Sequence, residues 1–131
     1  MKLKEILNDV ASFQLATSQI VNSKPTLSQV FGDDLLRYEL MEEENKEYLD
    51  ACKDEDLVEI LDACVDQLYI LCGTINQHGL QSVIEEAFNR VHSNNMSKVG
   101  IDGKVLRNAN GKILKPDGFK AVDLTDLITK K

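Results

Sequence analysis

Acidic residues in the middle of the chain have a spacing that could hold a divalent cation. Glu44 and Glu47 are three residues apart, and Glu59 and Asp62 repeat that spacing. Residues three or four apart lie on one face of a helix, so each pair directs two carboxylates the same way. Hard oxygen donors suit Mg²⁺, with Mn²⁺ as a substitute. The predicted metal ligands are Glu44, Glu47, Glu59 and Asp62, with Glu43 and Asp66 as supporting candidates.

Two neighbouring helices must bring these carboxylates together. Leu36, Leu40, Glu44 and Glu47 follow one helical stripe that begins apolar and becomes acidic, which directs the two glutamates toward a bundle interior. The segment 50–56 has no apolar residue at its centre and fits a tight turn between antiparallel helices, centred near residues 53 and 54. Carboxylates about 6 Å apart repel by about 3 kcal/mol per pair at an effective dielectric of about 20. A bound cation would relieve that repulsion.

Helical periodicity covers most of the chain before residue 93. Apolar spacing predicts helices over 3–17, about 33–52, about 56–78 and about 80–92, with Gly79 as a left-handed C-cap. Beyond residue 93 that period stops, and the sequence NANG at 108–111 lies between two short alternating runs, which predicts a β-hairpin. The predicted fold is an all-α antiparallel helix bundle in one domain, 1–131. Its helical core is 1–97, and a basic extended tail with the short hairpin is 98–131.

Charge and composition narrow the classes of function. The 131 residues carry a net charge of -7, with 5% aromatic residues and no Trp, which disfavours binding to polymeric nucleic acid. Between residues 39 and 66 there are twelve acids and two lysines, whereas 89–131 contains nine bases and four acids. An acidic middle with a basic tail suggests a metal beside an anionic ligand. No apolar run is long enough to span a bilayer, so we expect a cytoplasmic protein without membrane contact.

The ordered motifs resemble a known family. EENKE at 43–47 and EILD at 59–62 resemble the EExxE and ExxD motifs of the MazG-like, all-α nucleoside triphosphate pyrophosphohydrolases. Three further runs are similar to the phosphoribosyl-ATP pyrophosphohydrolase-like subset of that superfamily. They are DACVDQLYILCGTINQHGL at 62–80, HSNNMSK at 92–98 and DGKVLRNANGKILKPDGF at 102–119. The resemblance covers about residues 33–124.

This resemblance implies Mg²⁺-dependent cleavage of an NTP or dNTP between the α and β phosphates, giving a monophosphate and pyrophosphate. It also implies that the EExxE and ExxD acids bind the metal, and that the protein is a homodimer or higher homo-oligomer. Among the acids, we expect Glu47 to accept the proton of the attacking water. Glu44 is the second predicted catalytic residue. The alternative function is a non-catalytic helical adaptor whose acidic face docks a basic partner.

Several residues outside the acidic motifs are candidates for substrate binding. Lys98, Lys112 and Lys115 could contact the β and γ phosphates, because an ammonium point charge suits a pyrophosphate leaving group. They could equally be surface charges that aid solubility. Asn94 and Asn95 could read a base or a ribose hydroxyl, with helix capping as the alternative.

Overall fold

The computed structural model describes residues 1–100 and 102–129, and within them the regular structure is helical. The helices are α1 (Leu3–Ala16), α2 (Phe31–Lys53), α3 (Leu57–Gln77), α4 (Ile84–Met96) and α5 (Thr125–Thr129). The four predicted helices and the all-α class are therefore confirmed. No helix in the described part of the chain is both long enough and apolar enough to cross a membrane.

The chain divides into two compact units, Met1–Ser82 and Val83–Lys131. The first unit contains α1, α2 and α3, and the second contains α4, α5 and the segment between them. The division falls before α4, whereas the sequence suggested a boundary between helical core and tail near residue 97.

In the first unit, α3 packs against both α2 and α1. The turn between α2 and α3 consists of residues 54–56, and Asp56 caps α3 by accepting a hydrogen bond from the backbone N–H of Glu59 at 3.1 Å. Glu55 completes the turn with a φ of 52°, in the left-handed region. The helix after this turn begins at Leu57, one residue after the start near 56 that the sequence predicted.

A buried amide network joins α1 to α3. The Gln14 side chain donates to the carbonyl of Gly73 at 2.9 Å. Asn76 donates to the carbonyl of Leu7 and to Oε1 of Gln14, both at 3.0 Å. Asn76 and Gln14 are only 1% and 2% exposed. Because buried polar groups are costly unless they are paired, these bonds fix how α1 lies on α3.

The predicted C-cap of α3 is confirmed at Gly79, whose φ is 64°. A Cβ at this position would overlap the backbone of Lys24. The loop before α2 runs alongside the end of α3, where Thr26 donates its backbone N–H to the carbonyl of His78 at 3.0 Å. Glycine is therefore required here both for its conformation and for the close approach of the loop.

The predicted β-hairpin in the tail is wrong. The turn at 108–111 does form, but the described residues on either side contain no strand and only two isolated antiparallel bridges, Val99 to Val105 and Arg107 to Ile113. The Asn108 side chain accepts the backbone N–H groups of Asn110 and Lys112, so a local turn takes donors that a longer ladder would use. A two-stranded ribbon needs a packed face, and Leu106, Ile113 and Leu114 are exposed here.

Candidate metal centre

Three carboxylates from α2 and α3 converge in the first unit. Glu44 and Glu47 lie on α2 and Asp66 lies on α3, and one carboxylate oxygen of each lies within 4.8 Å of the others. Glu44 and Asp66 are half-buried, whereas Glu47 is exposed to solvent. The cluster thus has two partly enclosed acids and one acid at its open edge.

The register of the α2–α3 hairpin places Asp66 opposite Glu44. The turn at 54–56 centres the hairpin on residue 55, and two cross-helix bonds agree with this centre to within one residue. Gln67 donates to Asn45 Oδ1 at 3.3 Å, and Arg37 Nε donates to Thr74 Oγ1 at 3.1 Å. The sequence placed the centre near 53 and 54, which would set a residue about three positions earlier on α3 opposite Glu44. The observed register is almost one helical turn later.

The other predicted metal ligands lie outside the cluster. Glu59 is exposed in the first turn of α3. Asp62, also exposed, lies one turn before Asp66, and its charge contributes to the raised pKa of Asp66. Glu43 is exposed beside Glu44 and raises the pKa of that group. The structure therefore joins Glu44 and Glu47 with one supporting candidate, Asp66, and does not bring Glu59 or Asp62 into the group.

Burial and the repulsion of neighbouring charges raise the pKa of two of these carboxyl groups, Glu44 and Asp66. The pKa of Glu44 is raised to about 7, first by burial, then by its hydrogen bond with Glu47 and by the charges of Asp66, Glu47 and Glu43. Burial also raises the pKa of Asp66, together with the charges of Asp62 and Glu47, while a hydrogen bond with Glu44 opposes that change. Oε2 of Glu44 is buried without a hydrogen-bond partner.

These residues fit a divalent cation. The donor set consists only of carboxylate oxygens, which hard cations such as Mg²⁺ prefer. A buried carboxylate oxygen without a partner is unfavourable in a folded protein, and a cation at this position would satisfy it. The same cation would offset the repulsion that raises the pKa of Glu44.

The raised pKa of Glu44 predicts how stability depends on pH when no metal is present. Its pKa in the folded chain is about 7, above the ordinary value of 4.5, so folding favours the protonated form. As the pH rises between these values, the unfolded chain loses this proton first, and stability falls. We expect the Tm in EDTA to decrease from pH 5 to pH 8, and to decrease less in Glu44→Gln, which mimics the neutral acid.

Differential scanning fluorimetry of both proteins measures this effect, with Glu39→Gln as an exposed control on the same helix. Added Mg²⁺ should raise the Tm of the wild-type chain more at pH 8 than at pH 5, because protons compete with the cation. An equal dependence of Tm on pH in the wild-type chain and in Glu44→Gln would contradict the prediction.

The predicted substrate-binding residues belong to the second unit, where two of the three lysines lie near the same aromatic ring. The ammonium groups of Lys98 and Lys115 lie 5.6 and 5.5 Å from the centre of the Phe119 ring, within cation–π range. Lys98 also donates to Asn95 Oδ1 at 3.2 Å, and Asn94 donates to the carbonyl of Lys120 at 2.7 Å. Lys112 is exposed just after the turn at 108–111 and is not among the lysines near this ring.

Sequence reasoning missed two residues that the structure makes prominent. Phe119 is the ring shared by the two lysines, and its only sequence signal is that it is the single aromatic residue of the basic tail. Arg37 is buried at 6% exposure. It precedes Glu44 by seven residues, which is two helical turns, and this spacing could have placed it on the same face of α2.

A comparison with known protein families covers α2 and α3, the helices that carry the carboxylates. The family model described as phosphoribosyl-ATP pyrophosphohydrolase matches residues 10–95, which include all of α2 and α3. The chain belongs to this family. The match confirms the resemblance drawn from the sequence motifs and identifies the protein as a hydrolase of a pyrophosphate bond with a nucleotide substrate. No match was found among the curated proteins.

Proposed function

We propose that the protein is a Mg²⁺-dependent pyrophosphohydrolase that cleaves an NTP or dNTP between the α and β phosphates. The products would be the nucleoside monophosphate and pyrophosphate, and Mn²⁺ would substitute for Mg²⁺. The observation that carries the proposal is the cluster of Glu44, Glu47 and Asp66, with its unpartnered carboxylate oxygen. This cluster lies on helices within the family match.

Within this proposal the three carboxylates hold the metal, and Glu59 and Asp62 remain candidates from the sequence alone. A bound divalent cation neutralises phosphate charge and lowers the pKa of water. Glu47 is the exposed member, so its carboxylate can accept a proton from solvent water. The water oxygen bonds to the α phosphorus as the bond from that phosphorus to the bridging oxygen breaks. Pyrophosphate leaves with the electron pair.

Substrate phosphates require positive charge as well as a metal. We propose that Lys98 and Lys115 contact the β and γ phosphates, because both ammonium groups lie within cation–π range of the Phe119 ring and an ammonium point charge suits a pyrophosphate leaving group. Lys112, Asn94 and Asn95 remain candidates for contacts to the rest of the nucleotide.

An exposed apolar stripe on α3 supports a homodimer. Leu57, Val58 and Leu61 are 77%, 74% and 64% exposed, and Val65 and Leu68 continue the stripe at helical spacing. Contiguous apolar surface of this kind marks interaction sites in soluble proteins. We propose that a second copy covers this stripe. Light scattering should then give a molar mass near twice 14.7 kDa, and Leu61→Glu should reduce it. A monomeric wild-type chain would exclude the dimer.

Release of pyrophosphate from a panel of nucleotides tests the proposed activity. We expect release with Mg²⁺ or Mn²⁺ and none in EDTA, with a monophosphate as the second product. A non-catalytic adaptor would release nothing from any nucleotide. The same panel with phosphoribosyl-ATP included shows which nucleotide is preferred.

A further inference from the structure

A groove in the second unit lies between α4 and the segment 116–123. Its volume is about 660 Å³, within the range of sites that bind small ligands. Asn89 and Ser93 line one side of it and are four residues apart on α4, so they share a face of that helix. The family match ends at residue 95, and the chain that forms the other side lies beyond it. The family match therefore does not account for this groove.

Hydrogen bonds from α4 hold the segment that forms the other side. The Asn94 amide donates to the carbonyl of Lys120 at 2.7 Å, and Arg90 donates to the carbonyl of Asp123 at 3.3 Å. Arg90 also forms a two-point ion pair with Asp126, at 2.6 and 3.0 Å. Because the two donors are four residues apart on α4, they fix the segment in one register along the helix. The two sides of the groove are thus bonded directly to each other.

A tight turn places an aromatic ring on the segment's side of the groove. The backbone N–H of Phe119 donates to the carbonyl of Pro116 at 3.1 Å, and Gly118 within this turn has a φ of 80°. Glycine adopts this conformation without strain. Phe119 is half-buried and, with Pro116 and Val122, makes this side apolar. The apolar face of a sugar or a base can pack against such a surface.

The α4 side of the groove is polar and has unused hydrogen-bonding groups. Asn89 and Ser93 are exposed, and neither side chain has a hydrogen-bond partner in the part of the chain that the structure describes. An amide and a hydroxyl each both donate and accept hydrogen bonds. The hydroxyls of a ribose do the same, so this mixture of donors and acceptors suits a sugar.

The charges at the groove leave room for an anion. Within the described residues, the ion pairs of the second unit all involve Arg90, which binds Glu86 and Asp126. The other charged groups that line the groove or lie at its aromatic ring are two carboxylates and three ammonium groups, those of Asp117, Asp123, Lys98, Lys115 and Lys120. An ammonium without a carboxylate partner can bind a phosphate as a point charge.

We propose that this groove binds the ribose phosphate of the substrate nucleotide, an assignment that rests on the proposed function above. Asn89 and Ser93 bond to the 2′ and 3′ hydroxyls, and the sugar packs against Phe119. Lys120 contacts the α phosphate, which leaves the other two lysines for the β and γ phosphates. Because the ribose carries the recognition, purine and pyrimidine nucleotides both bind.

Calorimetric titration in EDTA tests the groove without turnover. The probes are AMP, 2′,3′-dideoxy-AMP, which lacks both hydroxyls, and adenosine, which lacks the phosphate. We expect AMP to bind at least about fivefold more tightly than either of the others, a change typical of losing one or two hydrogen bonds. UMP should show the same preference over its dideoxy form.

A double variant, Asn89→Ala with Ser93→Ala, shows whether these side chains bind the hydroxyls. Alanine favours a helix, so α4 should be retained. The preference for AMP over 2′,3′-dideoxy-AMP should fall below about twofold, because protein and ligand then lack the same bonds. The matched control is Asn8→Ala with Ser12→Ala, an exposed pair with the same spacing on α1, which should keep the wild-type preference.

Three results would overturn the assignment. They are no binding of AMP at about 10 mM, equal binding of AMP and 2′,3′-dideoxy-AMP, and a preference that the Asn89 and Ser93 double variant retains. A chain that releases pyrophosphate but gives any of these results keeps the proposed function and loses the groove. A chain that binds AMP as expected but releases no pyrophosphate contradicts the proposed function instead.

Discussion

Asp66→Asn should lower the rate of pyrophosphate release by about 100-fold or more at a fixed Mg²⁺ concentration. Asparagine keeps the size of the side chain but removes the negative charge that α3 contributes to the cluster with Glu44 and Glu47. Even changes to groups that only support metal ligands cost about 10- to 100-fold in affinity or activity. The loss should be at least as large when a ligand itself loses its charge. Initial rates over a range of Mg²⁺ concentrations measure the effect.

Two further variants serve as controls for Asp66→Asn. Asp62→Asn lies one turn earlier on α3 and should have a smaller effect, because the hairpin register brings Asp66 rather than Asp62 to Glu44. Glu39→Gln changes an exposed acid on α2 and controls for loss of surface charge. Helix content and oligomer size should be unchanged in all three. A normal rate in Asp66→Asn, or a larger loss in Asp62→Asn, would show that the cluster is not the catalytic metal site.

Asn76→Ala should lower the free energy of unfolding by about 2–3 kcal/mol, a substantial part of the stability of a small domain. Asn76 is 1% exposed and donates to both Leu7 and Gln14 across the contact between α1 and α3. Alanine would leave Gln14 Oε1 buried without its donor, and it would leave a cavity where the amide was. Urea denaturation followed by circular dichroism measures the change.

Asn45→Ala is the matched control, because it is the same substitution at an exposed helix position with one long hydrogen bond, 3.3 Å, to Gln67. Its effect should stay within about 0.5 kcal/mol. If the two variants unfold at the same urea concentration, the amide network does not hold α1 on α3.

The sequence was sufficient to place the helices but not their register. Asp56 and Gly79 are the kinds of residue that begin and end helices, and both mark the ends of α3. The end of α2 had no such marker, because residues 53 to 56 are all charged and none of them is a glycine or proline that would stop a helix. An error of one to two residues in the predicted centre of the turn doubles across the hairpin. For this reason Asp66, and not a residue about three positions earlier, lies opposite Glu44.

Other features depend on contacts that no local pattern contains. The hairpin prediction at 104–115 failed because an alternation of apolar and polar residues does not by itself supply a surface for the strands to pack against. The burial of Arg37 depends on the absence of a side chain at Gly73, which lies on a different helix. An isolated arginine beside leucines is typical of a helix surface, so burial could not be inferred from its neighbours in sequence.

The short connection at 54–56 has a consequence for how this protein could change over time. Asp66 lies ten residues beyond that connection, which is about 15 Å along a helix. One extra residue within α3 before Asp66 would move that carboxylate by about 100° around the helix, away from the face that meets Glu44. The number of helical residues between the start of α3 and Asp66 is therefore constrained by the cluster, and a change in that number would need a compensating acid elsewhere on α3.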